Sequence, residues 1–428
     1  AFIVGGTGEF NINADSISLG NSDGILSVGN GRIAGKDYSF LTSTMLVSDE
    51  SGATINVVAN TLNMPSSTIA ALGGGDVNVT CNAENSDGVS MDLGSQDLIP
   101  FENQIMNGFS GSNIGLGIYT SGGGDVNVTA FGDINIDSSR IASFNGGNVN
   151  ITSLTGNVNA GSGGTIAIPI NVFSTAFNFP FEPFEYVYAN GIVANTLAPL
   201  PNGKPVPHAA TIPGNITVNT PQGNIEANLG GILQESLNGT LPVGPTINLT
   251  AGTPADGDWN STEPPLYVGN IDMGQSGVIG GTVNVKATGK ITGLLISQHN
   301  ANVTGQSIGN LTVLAAGTAN VSGSSSGAGI TIVGGQGVNA SGIGSGATLL
   351  GQNVSVNGGA AQSTLGNSAT ATATSQSAAQ QSTQTAAQQV AGNDNGDGDG
   401  DQNKKKKNPE IRKVGRVTVI LSAAIPPK

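Results

Sequence analysis

Apolar and polar residues alternate with period two in short runs along most of this chain, most clearly over Gly123–Ala160. There GGDVNVT, AFGDINID, SSRIASF, NGGNVNIT and SLTGNVNA follow one another. Val126 and Val128 fall on one side and Asp125, Asn127 and Thr129 on the other, the signature of a strand with one buried face. The phrase returns from Gly124 to Gly147, 23 residues on. A unit that repeats at about 20–25 residues and cannot bury its own apolar face stacks on copies of itself. The pattern predicts a β-solenoid.

The same phrase can be followed along the chain. GGGDVNVT at Gly73–Thr80 is spelled again at Gly122–Thr129, 49 residues later, which reads as about two rungs. Gly147 to Gly214 and Gly214 to Gly281 are each 67 residues, near three rungs apiece. Within a unit, glycine-opened strands follow at eight or nine residues, as Gly147 to Gly156, Gly214 to Gly223 and Gly281 to Gly289 do. Glycine at each opening reads as a corner that needs positive φ, with Asn or Asp as second choice. Roughly 13–16 rungs at ~4.8 Å give a rod on the order of 65–75 Å long.

Breaks in the alternation divide the chain. Rungs fill 1–167 and narrower, Gly/Ser/Ala-rich rungs fill 214–359, with Leu98–Thr120 a loop leaving the stack. The stretch 168–213 is an inserted loop or hairpin, because its many prolines exclude a central strand through most of it. It carries Phe173, Phe177, Phe179, Phe181, Phe184, Tyr186 and Tyr188, a candidate contact for a ligand or a neighbouring subunit. A smaller excursion, Thr253–Pro265, surrounds the single tryptophan, Trp259. Residues 360–408 form a low-complexity linker too poor in apolar bulk to bury anything. Residues 409–428 end the chain in a strand-like segment of strong β-propensity, Ile411–Ile425, whose strand, Val414–Ile425, must pair with some edge.

Composition agrees with a thin, re-used core: aromatics are 4% of the chain, charged residues 10%, and 66 residues are glycine. The formal charge of −14 is unevenly placed. Residues 1–390 hold 23 acidic and six basic residues, whereas 403–428 hold eight basic and one acidic. An acidic body is a poor nucleic-acid surface, and its basic tail has a complementary partner in such a body, its own or a neighbour's. No run reaches the roughly 18–20 apolar residues of a membrane span. The one cysteine, Cys81, reads as a small buried apolar residue. AFIVGGTGEF has neither the basic start nor the apolar core of a signal peptide, so a mature product or another export route is expected.

The residues of Gly123–Ala160 resemble the haemagglutinin repeats of filamentous-haemagglutinin-like large exoproteins. Those repeats run roughly G-G-x-V-x-L-x-A-x-G-x-I, then S-x-I-x-A. Here Gly123, Gly124, Val126, Val128, Ala130, Gly132 and Ile134 are followed by Ser139, Ile141 and Ala142. The likeness is close over about 40 residues and looser over about 350. It implies an all-β chain wound as a right-handed parallel β-helix, export from a diderm bacterium, and a role in adhesion or surface structure. The Asn-Pro-Asn-Gly secretion signature is missing (Pro201-Asn202-Gly203 is a faint echo), and the linker and tail lie outside the repeat.

Chemistry is sparse. A β-helix polysaccharide lyase or hydrolase needs clustered Asp with a basic residue beside them. Asp125, Asp133 and Asp137 could share one face, but read better as corner aspartates, and neither His208 nor His299 has a carboxylate next to it in sequence. Asn393–Asp401 looks like an oxygen-ligand calcium loop, yet position twelve counted from Asn393 is Lys404 where a bidentate Glu is needed. It reads as a solvated linker, and no cofactor is expected. The sequons beginning at Asn78, Asn127 and Asn150 follow from the N-V-T strand pattern.

The function expected is therefore a non-enzymatic, secreted or cell-surface subunit of an adhesive filament. Copies would join head to tail, the strand of Val414, Val417, Val419, Leu421 and Ile425 on a neighbour's edge and Lys404, Lys405, Lys406 and Lys407 on its acidic body. A monomeric adhesin binding surface glycans or host cells through the aromatic insertion is the alternative, and the lyase or hydrolase a third.

Overall fold

The computed structural model describes residues 2–20, 22, 24–27, 52–65, 67–72, 74–94, 117–120, 122–161, 191–196, 210–236, 241–259, 261 and 263–361, with the backbone alone of 168–170, 185–187, 411–414 and 417–420. Among these residues there is no helix; 31 strands join one sheet and four a second. The large sheet is wound as a parallel β-helix, because its rung strands pair in parallel with the strand one turn later, while Tyr267–Val268 and Gly359–Ala361 are added antiparallel.

Three ladders result. The first holds Phe2–Val4, Ile25–Ser27, Thr68–Ala71, Gly117–Thr120, Arg140–Phe144, Gly191–Asn195, Ile232–Glu235 and Val278–Gly280. The second holds Glu9–Asn13, Thr54–Ala59, Val77–Cys81, Val126–Ala130, Val149–Ser153, Ile216–Thr220 and Thr246–Thr253. The third is shorter-stranded, with Ser16–Ser18, Thr61–Asn63, Val89–Asp92, Asp133–Asn135, Val158–Asn159, Ile225–Glu226 and Ile271–Asp272. Beyond these, Thr282–Ser297 and Ala301–Ala315 each run unbroken through all three ladders. Ile330–Gly334 and Thr348–Gly351 close the first ladder; Thr318–Ser325, Gly337–Ile343 and Val354–Val356 close the second.

One core serves every rung. Ile69, Ile118, Ile141, Ile192 and Ile232 face Val77, Val126, Val149 and Ile216 across it, with Leu62, Met91, Ile134 and Val158 from the third ladder. Cys81 lies in register with Ala59 and Ala130, a column of small side chains, and burial pushes its thiol up to about 12. It acts as a small apolar residue.

The rung count differs from expectation. Val77 pairs directly with Val126, so the 49-residue interval is one rung; Val149 pairs with Ile216, so the first 67-residue interval is also one. The second takes two, Ile216 to Ile247 to Val283. Twelve strands stack in the first ladder (the eight named, two long-strand ends and two closing strands), giving a rod of about 50–55 Å at ~4.8 Å per rung. Sequence distance overstated the rungs because excursions lie inside them. Uninterrupted rungs shorten along the chain, from 22–23 residues at Asn78 and Asn150 to 18–19 at Asn302 and Asn339.

The corner glycines also have another reason than expected. A β-carbon on Gly147 would overlap the carbonyl of Gly124 one rung away, and one on Gly214 the carbonyl of Gly147. These glycines stack where backbones approach too closely for any side chain, and they are not among the positive-φ glycines. Positive φ falls instead on the residue just before them, as at Gly74 (φ 100), Gly123 (φ 92) and Gly146 (φ 96), and at the corner leading into the first ladder, as at Gly117 (φ 114) and Gly191 (φ 86). The Asn or Asp after each stacked glycine caps the next rung. Asn148 N–H donates to Asp125 Oδ1 (2.7 Å), Asn215 N–H to Asn148 Oδ1 (2.9 Å) and Thr246 N–H to Asn215 Oδ1 (2.9 Å). At the next corner Asp133, Asn157, Asn224 and Asn270 accept in the same way.

Candidate functional site

The outer faces of the first two ladders differ. On the second, one column of asparagines runs along the rod. Asn56, Asn78, Asn127 and Asn150 each donate Nδ2–H to the Oδ1 of the asparagine one rung earlier, at 2.7–2.9 Å. Thr217 interrupts the column, which resumes through Asn248, Asn284, Asn302, Asn320 and Asn339 at 2.7–2.8 Å. At the sequons among these, the amide nitrogen a glycan would take is already engaged along the ladder.

The first ladder is apolar on both faces. Register places Ile3, Leu26, Ala70, Tyr119, Ala142, Val193, Leu233, Ile279, Ile296, Leu314, Val333 and Leu350 in one outward column, one residue per rung. None belongs to the central core, yet Leu26, Ala70, Ala142 and Val193 are 0% exposed and Leu233 and Ile279 only 3%. A parallel sheet buried on both faces reads as continuous apolar runs instead of alternation. ILS, TIAA, GIYT, GIVAN and VIG are such runs. The sequence carries that signal beside the more regular alternation of the second ladder.

Polar groups are buried on this outer face too. Burial lowers the Arg140 guanidinium to about 10, with the nearby Tyr119 opposing, and leaves it charged at neutral pH; it lies 6.0 Å from the Phe144 ring. Glu235 is 2% exposed, neither carboxylate oxygen has a hydrogen-bond partner, and burial pushes its pKa well above the usual range. Its register partner one rung earlier is Asn195, whose Oδ1 is likewise buried without a partner. Gln234, facing inward beside it, is fully used: Nε2 donates to Gly214 O (2.7 Å) and Oε1 accepts from Gly281 N–H (3.1 Å).

The two regions singled out in the sequence meet. The second sheet runs antiparallel in the order Ile168–Ile170, Glu185–Val187, Val417–Ile420, Ile411–Val414. Tyr186 pairs with Thr418 and Val187 with Val417. The tail is therefore a hairpin, not the single strand expected over Val414–Ile425, with Gly415-Arg416 between its arms. Val414, Val417 and Val419 lie in it, and Tyr186 in its partner strand. Leu421, Ile425, Lys404–Lys407, Phe173, Phe177, Phe179, Phe181, Phe184, Tyr188 and the acidic loop at 393–401 fall outside the described residues. The 168–213 insertion is also divided, because Gly191–Asn195 is a fully buried first-ladder strand; likewise Gly117–Thr120 belongs to that ladder and not to the loop before it.

The candidate acid residues are dispersed. Asp125 and Asp133 cap different corners. Asp137 sits against Asp92, and burial, that neighbour's charge and a hydrogen bond with it raise its pKa. His299 Nε2 lies 2.9 Å from Leu241 O, while His208 is outside the described residues. Among the described residues no three His, Cys, Asp or Glu are grouped to hold a metal ion, and no helix is long and apolar enough to cross a membrane. Comparison with family models, curated proteins and solved structures finds no match.

Proposed function

We propose that this chain is a non-enzymatic structural rod, secreted to a bacterial surface and akin to the filamentous-haemagglutinin-like exoproteins, whose copies join head to tail into an adhesive fibre. The observation that supports it is the C-terminal hairpin, which reaches back across a 49-residue interval, 362–410, to pair with Glu185–Val187. Both edges of that four-stranded sheet are blunted, Pro169 on one and Arg412 with Lys413 on the other, so it does not invite a fifth strand. The joint is instead an exchange: the hairpin of one copy takes, on the next, the place it holds on its own. Such swapping needs no new contacts and, when head to tail, propagates into filaments. Deletion of 409–428 tests it by electron microscopy. Single rods are expected, and filaments of undiminished length exclude the joint.

A second reading, an adhesin binding glycan or receptor, is favoured by the apolar hairpin at Leu266 (64% exposed), Tyr267 (47%) and Val268 (58%). Glycan-array binding that survives tail deletion but is lost on replacing these three by serine supports it.

A further inference from the structure

We infer that the outward apolar column of the first ladder is a docking surface, and that the four-stranded sheet built from the insertion and the C-terminal hairpin occupies it. The column is buried at Ala142, Val193 and Leu233, yet these residues are not part of the central core, so another part of the chain lies over them.

The excursions show where the cover comes from. The intervals 28–51, 95–116, 162–190, 197–209 and 237–240 all sit at corners entering or leaving the first ladder; among the described residues, the Asn82–Gly88 and Thr253–Val268 excursions lie at the corner between the second and third. Glu185–Val187 ends four residues before Gly191, the first residue of the strand that carries Val193. Four residues span at most about 14 Å, so this sheet starts beside the column.

Chemistry matches as well. Register sets Ile168, Val187, Val417 and Val414 in one apolar row across all four strands, and the neighbouring row of that face holds Ile170, Glu185, Val419 and Arg412. An isolated small sheet with such a row needs an apolar surface to cover it. The column offers one, whereas the second ladder offers hydrogen-bonded asparagine. The tail then acts as a clasp, tying the linker's far end to the middle of the rod. This holds for a single copy, so a failure of filament formation leaves it standing.

The experiment uses the full chain with a protease site placed in the linker at 391–402. After cleavage the fragment carrying 403–428 is expected to stay with the rod through gel filtration without denaturant, and its release overturns the proposal. A second arm compares the chain with its 409–428 deletion by amide exchange. Protection at 192–195 and 232–235 is expected to fall tenfold or more, with apolar-dye fluorescence rising, while 126–130 in the second ladder stays unchanged. Unchanged exchange at 192–195 overturns the proposal equally.

Discussion

The first and second ladders share every rung and one core, yet they show opposite outer surfaces. Alternate positions of the second ladder carry Asn127, Thr129, Asn150 and Thr152, half-buried, with the asparagines bonded along the rod. The equivalent positions of the first carry Tyr119, Ala142, Val193 and Leu233, out of solvent. One ladder ends at water; the other continues into a further layer. The difference teaches that in a solenoid the repeat alone supplies structure, and that the face abandoning alternation is where other parts of the chain attach.

The largest expected effect lies where both ladders depend on the same corner. Gly147→Val places side-chain atoms against the Gly124 carbonyl and should cost above about 4 kcal/mol or abolish folding, read from the denaturant midpoint. Next comes the contrast itself. Val193→Asp buries an unpaired carboxylate and should cost about 3–5 kcal/mol, whereas Thr129→Asp, pointing outward on the second ladder, should stay within about 0.5 kcal/mol. Equal losses would erase the distinction between the ladders.

Glu235 sharpens it through pH. A carboxyl held neutral by burial gives its full stability below the unfolded pKa of about 4.3, and that stability is lost as pH rises through the raised folded value. Glu235→Gln stays neutral throughout. At pH 4 the variant and parent should melt together; at pH 7–8 the variant should melt higher, by up to about 1.4 kcal/mol for each unit of the raised pKa that the pH has passed. A parent whose melting is flat from pH 4 to 8 contradicts a buried neutral acid. The smallest loss expected of a deleted contact is that of Asn127→Ala, which removes both hydrogen bonds that Asn127 makes in the asparagine column and should cost about 1 kcal/mol by thermal denaturation.

The winding was legible because Val126-Asn127-Val128 alternates and recurs, and a one-residue slip would expose its valines. The number of rungs was not, because 67 residues between Gly147 and Gly214 can be three turns or one turn with excursions, and only register separates them. The corner glycines were found for the wrong reason, since sequence cannot tell a positive φ from a close approach. The apolar column was missed because Ile192-Val193 looks like core on either side. The meeting of Tyr186 with Thr418 joins residues 232 apart, a contact no local pattern can announce.

Exchange of the hairpin between copies is tested most directly by mixing two single-cysteine chains, Val187→Cys and Val417→Cys, whose positions are register partners. Cys81 is buried, with its thiol pushed up to about 12, and stays out of the reaction. Oxidation of the mixture should give a disulfide between the two chains that grows with filament length, while either chain alone gives none. A mixture that forms filaments without that cross-link would contradict the account.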